Sequence, residues 1–335
     1  NNKERKRGFN VKVFKTLFLT GIVVMMGIGI AGCGKGKEET KEVSVGYFNN
    51  ITHAQALLMK AEGNLEKAFG EDKKVKWTAF NAGPAEVEAL FSGDIDIGYI
   101  GPVPAISANV KSKGDVSILS GATKAGAVLV RRKGSDINSV KDLSGKVVAI
   151  PQIGNTQHLC LLDLLTENGL KPDTEGGDVK VAAVANADVA NTMARGDIDA
   201  AFVPEPWGAT LLEKDAELVL DYNEVYRNGE YDVAVVVVRK EFQEENPELV
   251  EKFLKEHEAA TLKINEDKDT TLKTINKELD SATGKSLGEN IIKQSFERIG
   301  VSTELNRDAI LEFANISKDQ KFINELPKDD LFVNK

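Results

Sequence analysis

The pattern of apolar and polar residues is nearly the same at two places in the chain, 103 positions apart. Residues 93–104 read GDIDIGYIGPVP, and residues 196–206 read GDIDAAFVPEP. In each copy, apolar residues at helical spacing lead into the glycine, a short apolar run follows the second aspartate, and a proline-bearing loop comes next. Each copy therefore predicts a helix that ends at glycine, a tight turn, a strand buried on both faces and a loop.

The pattern around these two copies predicts two α/β lobes. Further apolar runs of strand length, separated by helical patterns, occupy residues 43–48, 74–80, 116–120, 146–150, 179–184 and 231–240. We expect lobe 1 to comprise residues 42–128 and 240–335, and lobe 2 to comprise residues 129–239. Segments 126–133 and 231–240, which both end in basic residues, are expected to join the two lobes.

The loops that follow the two repeated strands are the predicted ligand site. In open α/β sheets, ligands bind beyond the carboxyl ends of the strands, so the loops at 101–104 and 204–207 should face one cleft. The aspartates of the two copies offer a metal site as an alternative. Without a third ligand, however, they are better explained as residues that cap turns; these are Asp94, Asp96, Asp197 and Asp199.

The N-terminal stretch has the layout of a signal peptide. Six basic residues between positions 3 and 15 precede an apolar run over 16–31, which is shorter than the roughly 20 residues that a spanning helix needs. The run ends in Ile-Ala-Gly-Cys, which resembles the lipobox of bacterial lipoproteins. We therefore expect a signal peptide over residues 1–33, lipidation of Cys33 and a flexible tether over residues 34–41; the alternative is an uncleaved membrane anchor.

Charge argues against one class of partner, and cysteine content excludes one kind of cross-link. The first 33 residues carry six basic side chains and one acidic side chain, so the net charge falls from −9 to −14 without them, which argues against a nucleic-acid partner. After Cys33 the only cysteine is Cys160, within an apolar helical pattern. No intramolecular disulfide can form in the mature chain, and we expect Cys160 to be a small core residue.

Four longer segments together resemble a known family: KWTAFNAGPAEVEALFSGDIDIGYIGPVPAI, GATKAGAVLVRR, IPQIGNTQH and FVPEPWGA. They are similar to the nitrate, sulfonate and taurine substrate-binding proteins of ABC importers, above all to the aliphatic-sulfonate-binding branch. The resemblance covers residues 43 to about 315. It implies a type II periplasmic-binding fold, in which two α/β lobes joined by two hinge strands close over one small molecule.

The resemblance also implies the biological setting of the protein. The chain would be a lipid-anchored monomer on the outer surface of a monoderm bacterium, or on the periplasmic side of a diderm one. It would capture a small anion, most simply an aliphatic sulfonate or taurine, and deliver it to a permease driven by a cytoplasmic ATPase. No cofactor and no catalytic step are expected.

The ligand-binding residues that the resemblance implies come from both lobes. Most lie at the start of a helix, where free N–H groups suit an oxyanion, and Trp207 is expected to cover an apolar chain. The set is Asn49, Asn50, Thr52, His53, Gly83, Pro84, Gly101, Asn155, Thr156, Gln157, His158, Glu205 and Trp207.

Several roles remain open from the sequence. Glu205 would pair with the ammonium group of taurine, or it would face the surface and cap the next helix. His53 and His158 are either anion donors when protonated or residues without a ligand role, with a pocket role favoured for His158. The same fold also serves nitrate or bicarbonate binding, thiamine-precursor pyrimidine binding and pyrimidine-synthase-like enzymes. The chain nevertheless shows neither a cysteine-rich iron site nor a Walker loop.

Overall fold

The computed structural model describes residues 40–333 of the chain. The expected signal peptide, the expected lipidation site Cys33 and all but the last two residues of the expected tether lie outside the described residues. Within the described residues, no helix is long and apolar enough to cross a membrane.

Eleven strands and thirteen α-helices alternate along residues 40–333. The strands are β1 (Glu42–Phe48), β2 (Lys74–Phe80), β3 (Ile97–Ile100), β4 (Val116–Ala125), β5 (Ala127–Arg132), β6 (Val147–Ile150), β7 (Lys180–Ala183), β8 (Ala200–Pro204), β9 (Ala216–Leu220), β10 (Asp232–Arg239) and β11 (Ile299–Val301). The helices are α1 (Ala54–Glu62), α2 (Asn64–Phe69), α3 (Gly83–Ser92), α4 (Pro102–Ser112), α5 (Thr156–Glu167), α6 (Val189–Ala194), α7 (Trp207–Leu212), α8 (Tyr222–Val225), α9 (Lys240–Glu245), α10 (Pro247–Glu266), α11 (Lys268–Thr283), α12 (Glu289–Glu297) and α13 (Arg307–Asp319).

The strands form two sheets with the same internal arrangement, which confirms the two-lobed α/β fold. The first sheet has the order β11-β4-β10-β3-β1-β2, and the second has the order β7-β6-β8-β5-β9. In the first sheet β1 pairs in parallel with β2 and β3, and β10 runs antiparallel between β3 and β4. In the second sheet β6 pairs in parallel with β7 and β8, and β5 runs antiparallel between β8 and β9.

The second aspartate of each GDID copy makes the same contacts in both sheets. Asp96 accepts a hydrogen bond from the backbone N–H of Ser44 at 2.9 Å, and its other oxygen lies 2.7 Å from Arg239, the last residue of β10. Asp199 likewise accepts from the N–H of Val147 at 2.9 Å and lies 3.3 Å from Arg132 at the end of β5. In each sheet one carboxylate therefore fixes a parallel strand against the antiparallel strand.

The position of β10 corrects the expected boundary between the lobes. Residues 232–239 were expected in lobe 2, but β10 is hydrogen-bonded between β3 and β4 of the first sheet. A long apolar strand fits the centre of either sheet, so its pattern does not reveal which one it joins. The first crossing between sheets lies at Ala125 and Gly126, whose φ angles are 57° and 82°, and the second lies between β9 and β10.

The C-terminal helices pack mainly on the first lobe and also reach the second. Helix α10 packs on α1 and α2, and α11 packs on α1. Helix α12 contacts α7 in the second lobe, and α13 contacts both α4 and α5. Cys160 is buried within α5, as predicted.

Glu86 is a buried carboxyl group beneath the first sheet. It projects from the first turn of α3, is fully buried, and neither carboxylate oxygen has a hydrogen-bond partner among the described residues. A Cβ at Gly46 or Gly98 would overlap Glu86 Oε1, so this pair of glycines, which are register partners, provides the space for the carboxyl group. Burial raises the pKa of Glu86 well above its ordinary value.

We expect Glu86→Gln to remove one pH-dependent contribution to stability. The pKa of Glu86 is higher in the folded than in the unfolded chain. The contribution of this group to the free energy of unfolding is therefore full below about pH 4.5, and it is lost as pH rises through the folded pKa. Relative to wild type, the variant should gain up to about 1.4 kcal/mol per pH unit as pH rises. Urea unfolding at pH 5, 6, 7 and 8 tests this; parallel stability curves for the two proteins would contradict it.

Candidate ligand site between the lobes

The carboxyl ends of six parallel strands, three from each sheet, meet around one pocket between the lobes. Residues that follow β1, β2 and β3 line it from the first lobe, and residues that follow β6 and β7, together with the last residue of β8, line it from the second. We call this space, whose cavity volume is about 20 Å³, the inner pocket. Its lining residues are Phe48, Asn50, Thr52, His53, Asn81, Ala82, Gly83, Gly101, Pro104, Pro151, Asn155, Thr156, Gln157, Asn186, Pro204 and Val233.

The starts of three long helices contribute to this lining. Helices α3, α4 and α5 begin at Gly83, Pro102 and Thr156, directly beyond their strands. The first N–H groups of a helix have no partner within it and carry the positive end of the helix dipole. In α5 the N-cap residue Asn155 accepts a hydrogen bond from the N–H of His158 at 2.8 Å. The N–H groups of Thr156 and Gln157 are thus left for a ligand.

The donors that face the inner pocket carry no charge. The lining contains no Lys, Arg, Asp or Glu side chain. Asn155 Nδ2 donates to Gln157 Oε1 at 3.2 Å. Because this oxygen already accepts a hydrogen bond, the Gln157 amide presents its nitrogen to the pocket as a donor. Neutral amides and hydroxyls at helix starts are the groups that bind a small oxyanion without a counter-charge.

His53 is a neutral donor in this pocket. Its Nδ1 accepts a hydrogen bond from the N–H of Phe48 at 3.0 Å, which leaves the ring proton on Nε2. The ring stacks on Phe48 with centroids 4.3 Å apart and is almost fully buried. Burial lowers the pKa of His53 to about 3, so the ring stays uncharged across the physiological pH range.

Hydrogen bonds cross the cleft and hold the lobes against each other. Trp207 Nε1 donates to Asn50 Oδ1 at 2.8 Å, and the N–H of Val103 lies 3.4 Å from Thr156 Oγ1. Asn81 uses both ends of its amide: its nitrogen lies 3.3 Å from the carbonyl oxygen of Pro151, and its oxygen lies 3.3 Å from the N–H of Asn186. The structure therefore describes the closed arrangement of the two lobes.

Comparison with known proteins agrees with this architecture. The sequence model of the NMT1-like family matches residues 36–276. The chain belongs to the NMT1-like family.

Two relatives of this NMT1-like chain have names that state a ligand. The chain is 34% identical to the taurine-binding periplasmic protein of Escherichia coli over 64% of its own length and 63% of that protein. It is 28% identical to a putative aliphatic sulfonates-binding protein of Bacillus subtilis, over 82% of its length and 80% of that protein. The chain thus matches somewhat less than two thirds of the first of these relatives.

A solved structure shows the same fold. The alkanesulfonate-binding protein of Xanthomonas axonopodis pv. citri, bound to MOPS, superposes with a TM-score of 0.71 over 87% of this chain and 96% of that chain. The sequences are 23% identical, so this likeness concerns the fold alone.

The structure brings together eight of the thirteen predicted site residues. Asn50, Thr52, His53, Gly83, Gly101, Asn155, Thr156 and Gln157 all line the inner pocket. Two others, Asn49 and Trp207, line an adjoining space. Contact of these residues with a ligand stays a prediction.

Three predicted residues lie outside both spaces. Pro84 lies at the start of α3, next to Gly154 across the cleft. His158, for which a pocket role was favoured, accepts from the N–H of Gly154 at 3.0 Å and packs on Phe322, and burial lowers its pKa to about 4. Glu205 caps α7 as one alternative stated, but it is fully buried and does not face the surface.

Sequence reasoning missed two asparagines of the inner pocket. Asn81 follows β2 and Asn186 follows β7, and each lines the pocket from its own lobe. The rule that sites collect at the carboxyl ends of parallel strands applies to both positions. Polar residues within two positions of the ends of the strands at 74–80 and 179–184 were the signal that would have identified them.

Proposed function

We propose that this NMT1-like protein is the extracytoplasmic substrate-binding component of an ABC importer, and that it captures a small organic anion, an aliphatic sulfonate or taurine. One observation carries the proposal: the inner pocket lies between two lobes and is lined by helix starts and uncharged donors, with no charged side chain. The names of the two relatives support the sulfonate class.

In this proposal the head group of the anion binds at the start of α5. The free N–H groups of Thr156 and Gln157, the Thr156 hydroxyl and the Gln157 amide donate from lobe 2. His53 donates its Nε2–H from lobe 1. A sulfonate has three acceptor oxygens and one negative charge, so it accepts from both lobes at once.

Ligand binding would then favour closure. A ligand that contacts both lobes stabilises the closed arrangement by its differential contacts, and the closed form is the one that a permease would recognise. The direct hydrogen bonds across the cleft, such as Trp207 to Asn50, add to this preference. The protein acts without a catalytic step, as a monomer anchored to the membrane through lipidated Cys33.

Isothermal calorimetry with the purified full chain tests the ligand class. The ligands are methanesulfonate, ethanesulfonate, taurine, nitrate, bicarbonate and a thiamine-precursor pyrimidine. We expect sulfonates to bind, and to raise the free energy of unfolding by about 2.7 kcal/mol at a concentration one hundred times their dissociation constant. Binding of nitrate or of the pyrimidine alone would overturn the sulfonate assignment.

We expect the double substitution Thr156→Ala with Gln157→Ala to weaken binding of ethanesulfonate by about 10- to 30-fold. Two side-chain donors to a charged group are lost, while the backbone N–H groups of the helix start remain. Calorimetry at constant pH measures the change. Thr166→Ala is a matched control, because Thr166 lies at the far end of α5 and its hydroxyl bonds to Leu162 O. Unchanged affinity in the double variant would exclude the start of α5 from the site.

A further inference from the structure

Two helices of the first lobe begin after residues that cannot cap them. The N-cap residue of α3 is Ala82 and that of α4 is Gly101, and neither residue has a side chain that accepts a hydrogen bond. In the second lobe, by contrast, the N-cap residue Asn155 of α5 accepts from the N–H of His158. A helix start without a side-chain cap leaves backbone donors unsatisfied, so α3 and α4 need acceptors from elsewhere.

Side chains of the second lobe supply these acceptors across the cleft. Gln152 Oε1 accepts from the N–H of Ala85, in the first turn of α3, at 3.3 Å. Thr156 Oγ1 accepts from the N–H of Val103, in the first turn of α4, at 3.4 Å. Val103 lies between two prolines, which have no N–H, so it carries the one free donor of the first three residues of α4. Each of these helices is therefore capped from the opposite lobe.

Gln152 lies beside a second hydrogen bond between the same two segments. It is a half-buried residue of the loop that follows β6. The carbonyl oxygen of its neighbour Pro151 lies 3.3 Å from the amide nitrogen of Asn81, which directly precedes the N-cap of α3. The segment that leads into α3 thus donates twice to adjacent residues of the second lobe, which fixes the place of the Gln152 amide in the closed protein.

We propose that Gln152 is a positioning residue for closure, which caps α3 only when the lobes are closed and thereby slows the release of bound ligand. This inference rests on the proposed function and concerns the regulation of the same site. Opening the cleft separates Gln152 Oε1 from the Ala85 N–H, so the cap contributes to the closed form alone and shifts the equilibrium toward it. A side-chain cap is typically worth about a fivefold change in an equilibrium constant.

The caps across the cleft also divide the work among the helix starts. The N–H groups of Ala85 and Val103 are occupied by the second lobe, so α3 and α4 use them for closure. Thr156 has both roles, because its oxygen accepts from Val103 while its hydroxyl proton stays available for a head group. Closure through α3 and α4 therefore leaves the start of α5 for the anion.

Gln152→Met tests the proposal, because methionine has a side chain of similar length without an amide oxygen. Stopped-flow tryptophan fluorescence measures the binding of ethanesulfonate to the full chain in a non-ionic detergent. We expect the dissociation rate constant to rise by about fivefold and the association rate constant to stay within about twofold, because the cap forms after the ligand has entered. Gln294→Met is the matched control, since Gln294 is an exposed glutamine of α12.

A cap placed on α3 itself separates capping from any other effect of Gln152. Ala82→Ser puts a hydroxyl at the N-cap, where the backbone is already extended with φ −159° and ψ 168°, and this cap is present in the open and closed forms alike. Because Ala82 lines the inner pocket, only the effect of Gln152→Met within each background is compared. In the Ala82→Ser background, that effect on the dissociation rate constant should fall below about twofold.

Exchange of the Ala85 amide proton with water, measured by NMR, reports the cap directly. Ethanesulfonate should slow this exchange by at least about fivefold in the wild type and leave it unchanged in Gln152→Met, while the Val103 amide is protected in both proteins.

The outcomes separate the two proposals. An unchanged dissociation rate in Gln152→Met, an equal effect in both backgrounds, or an Ala85 amide that the ligand does not protect would overturn the role of Gln152 and leave the proposed function intact. Failure of ethanesulfonate to bind the wild type would overturn the proposed function and this inference together.

Discussion

Replacing Gly101 with alanine is expected to weaken ligand binding by about 100-fold or more without unfolding the protein. A Cβ at this position would overlap Thr156 Oγ1 across the cleft, while its other neighbours, Pro104 Cδ and Thr156 Cβ, lie at an ordinary 3.5 Å. The backbone of Gly101 is extended, with φ −67° and ψ 150°, so alanine adopts it without strain. The clash therefore exists only when the lobes are closed.

Opening the cleft relieves this clash, which shifts the equilibrium away from the closed form. If the closed fraction of the free protein falls by a factor of about 100, the apparent dissociation constant rises by about 100-fold. Calorimetry with ethanesulfonate measures the affinity, and small-angle X-ray scattering measures the closure. Gly300→Ala is the control, because a Cβ there meets only Lys124 Cβ at 3.7 Å.

A second substitution tests the mechanism of this effect. Thr156→Ala removes the atom that Gly101→Ala would strike, so the double variant should recover the compact scattering profile in saturating ligand even though it has lost one donor. Wild-type affinity in Gly101→Ala alone would show that the lobes do not approach at this point when the ligand binds.

The sequence predicted the repeated architecture because its signals are local. The glycine after each helix, the apolar strand after each GDID motif and the polar residue after each strand lie within a few positions of one another. The loop at 101–104 was therefore assigned to the cleft from its place after a strand, whereas Asn155 was assigned from the family resemblance. The two sheets confirm the repeated architecture.

The features that the sequence did not predict depend on partners far along the chain. The sheet that β10 joins is decided by its pairing with β3 and β4, which precede it by more than a hundred residues. The orientation of the His158 ring depends on its packing against Phe322. Glu205 is buried because of Arg298, which lies 93 residues away. No local pattern identifies such partners.

Substituting Glu205 with alanine is expected to lower the free energy of unfolding by about 3–5 kcal/mol. Glu205 is fully buried; its Oε1 lies 3.1 Å from Arg298 Nη1, and its Oε2 accepts from the N–H of Ala209 at 2.9 Å. Burial raises the pKa of Glu205, and the bond from the Ala209 N–H and the Arg298 charge oppose that rise. Without this carboxylate, Arg298 keeps only Asp221, at 2.9 Å, and α7 loses its cap.

The cluster of Glu205 and Arg298 also joins elements from both lobes, beside the first crossing between the sheets at Gly126. The N–H of Glu205 donates to Gly126 O at 2.8 Å, and Arg298 directly precedes β11 of the first sheet. The double variant Glu205→Leu with Arg298→Met should recover part of the stability, because no unpaired charge remains buried. Asp197→Ala is the control; its exposed ion pair with Arg195 should contribute less than about 1 kcal/mol.

The variant Glu205→Ala also tests whether Glu205 binds the amine of taurine. Glu205 does not line the inner pocket, and its two oxygens are already occupied by Arg298 and by the N–H of Ala209. We therefore expect Glu205→Ala to lower stability in urea unfolding while the ratio of taurine to ethanesulfonate affinity stays within about twofold. A selective loss of taurine binding at unchanged stability would instead assign the carboxylate to the ligand, and the cluster with Arg298 would have to open when taurine binds.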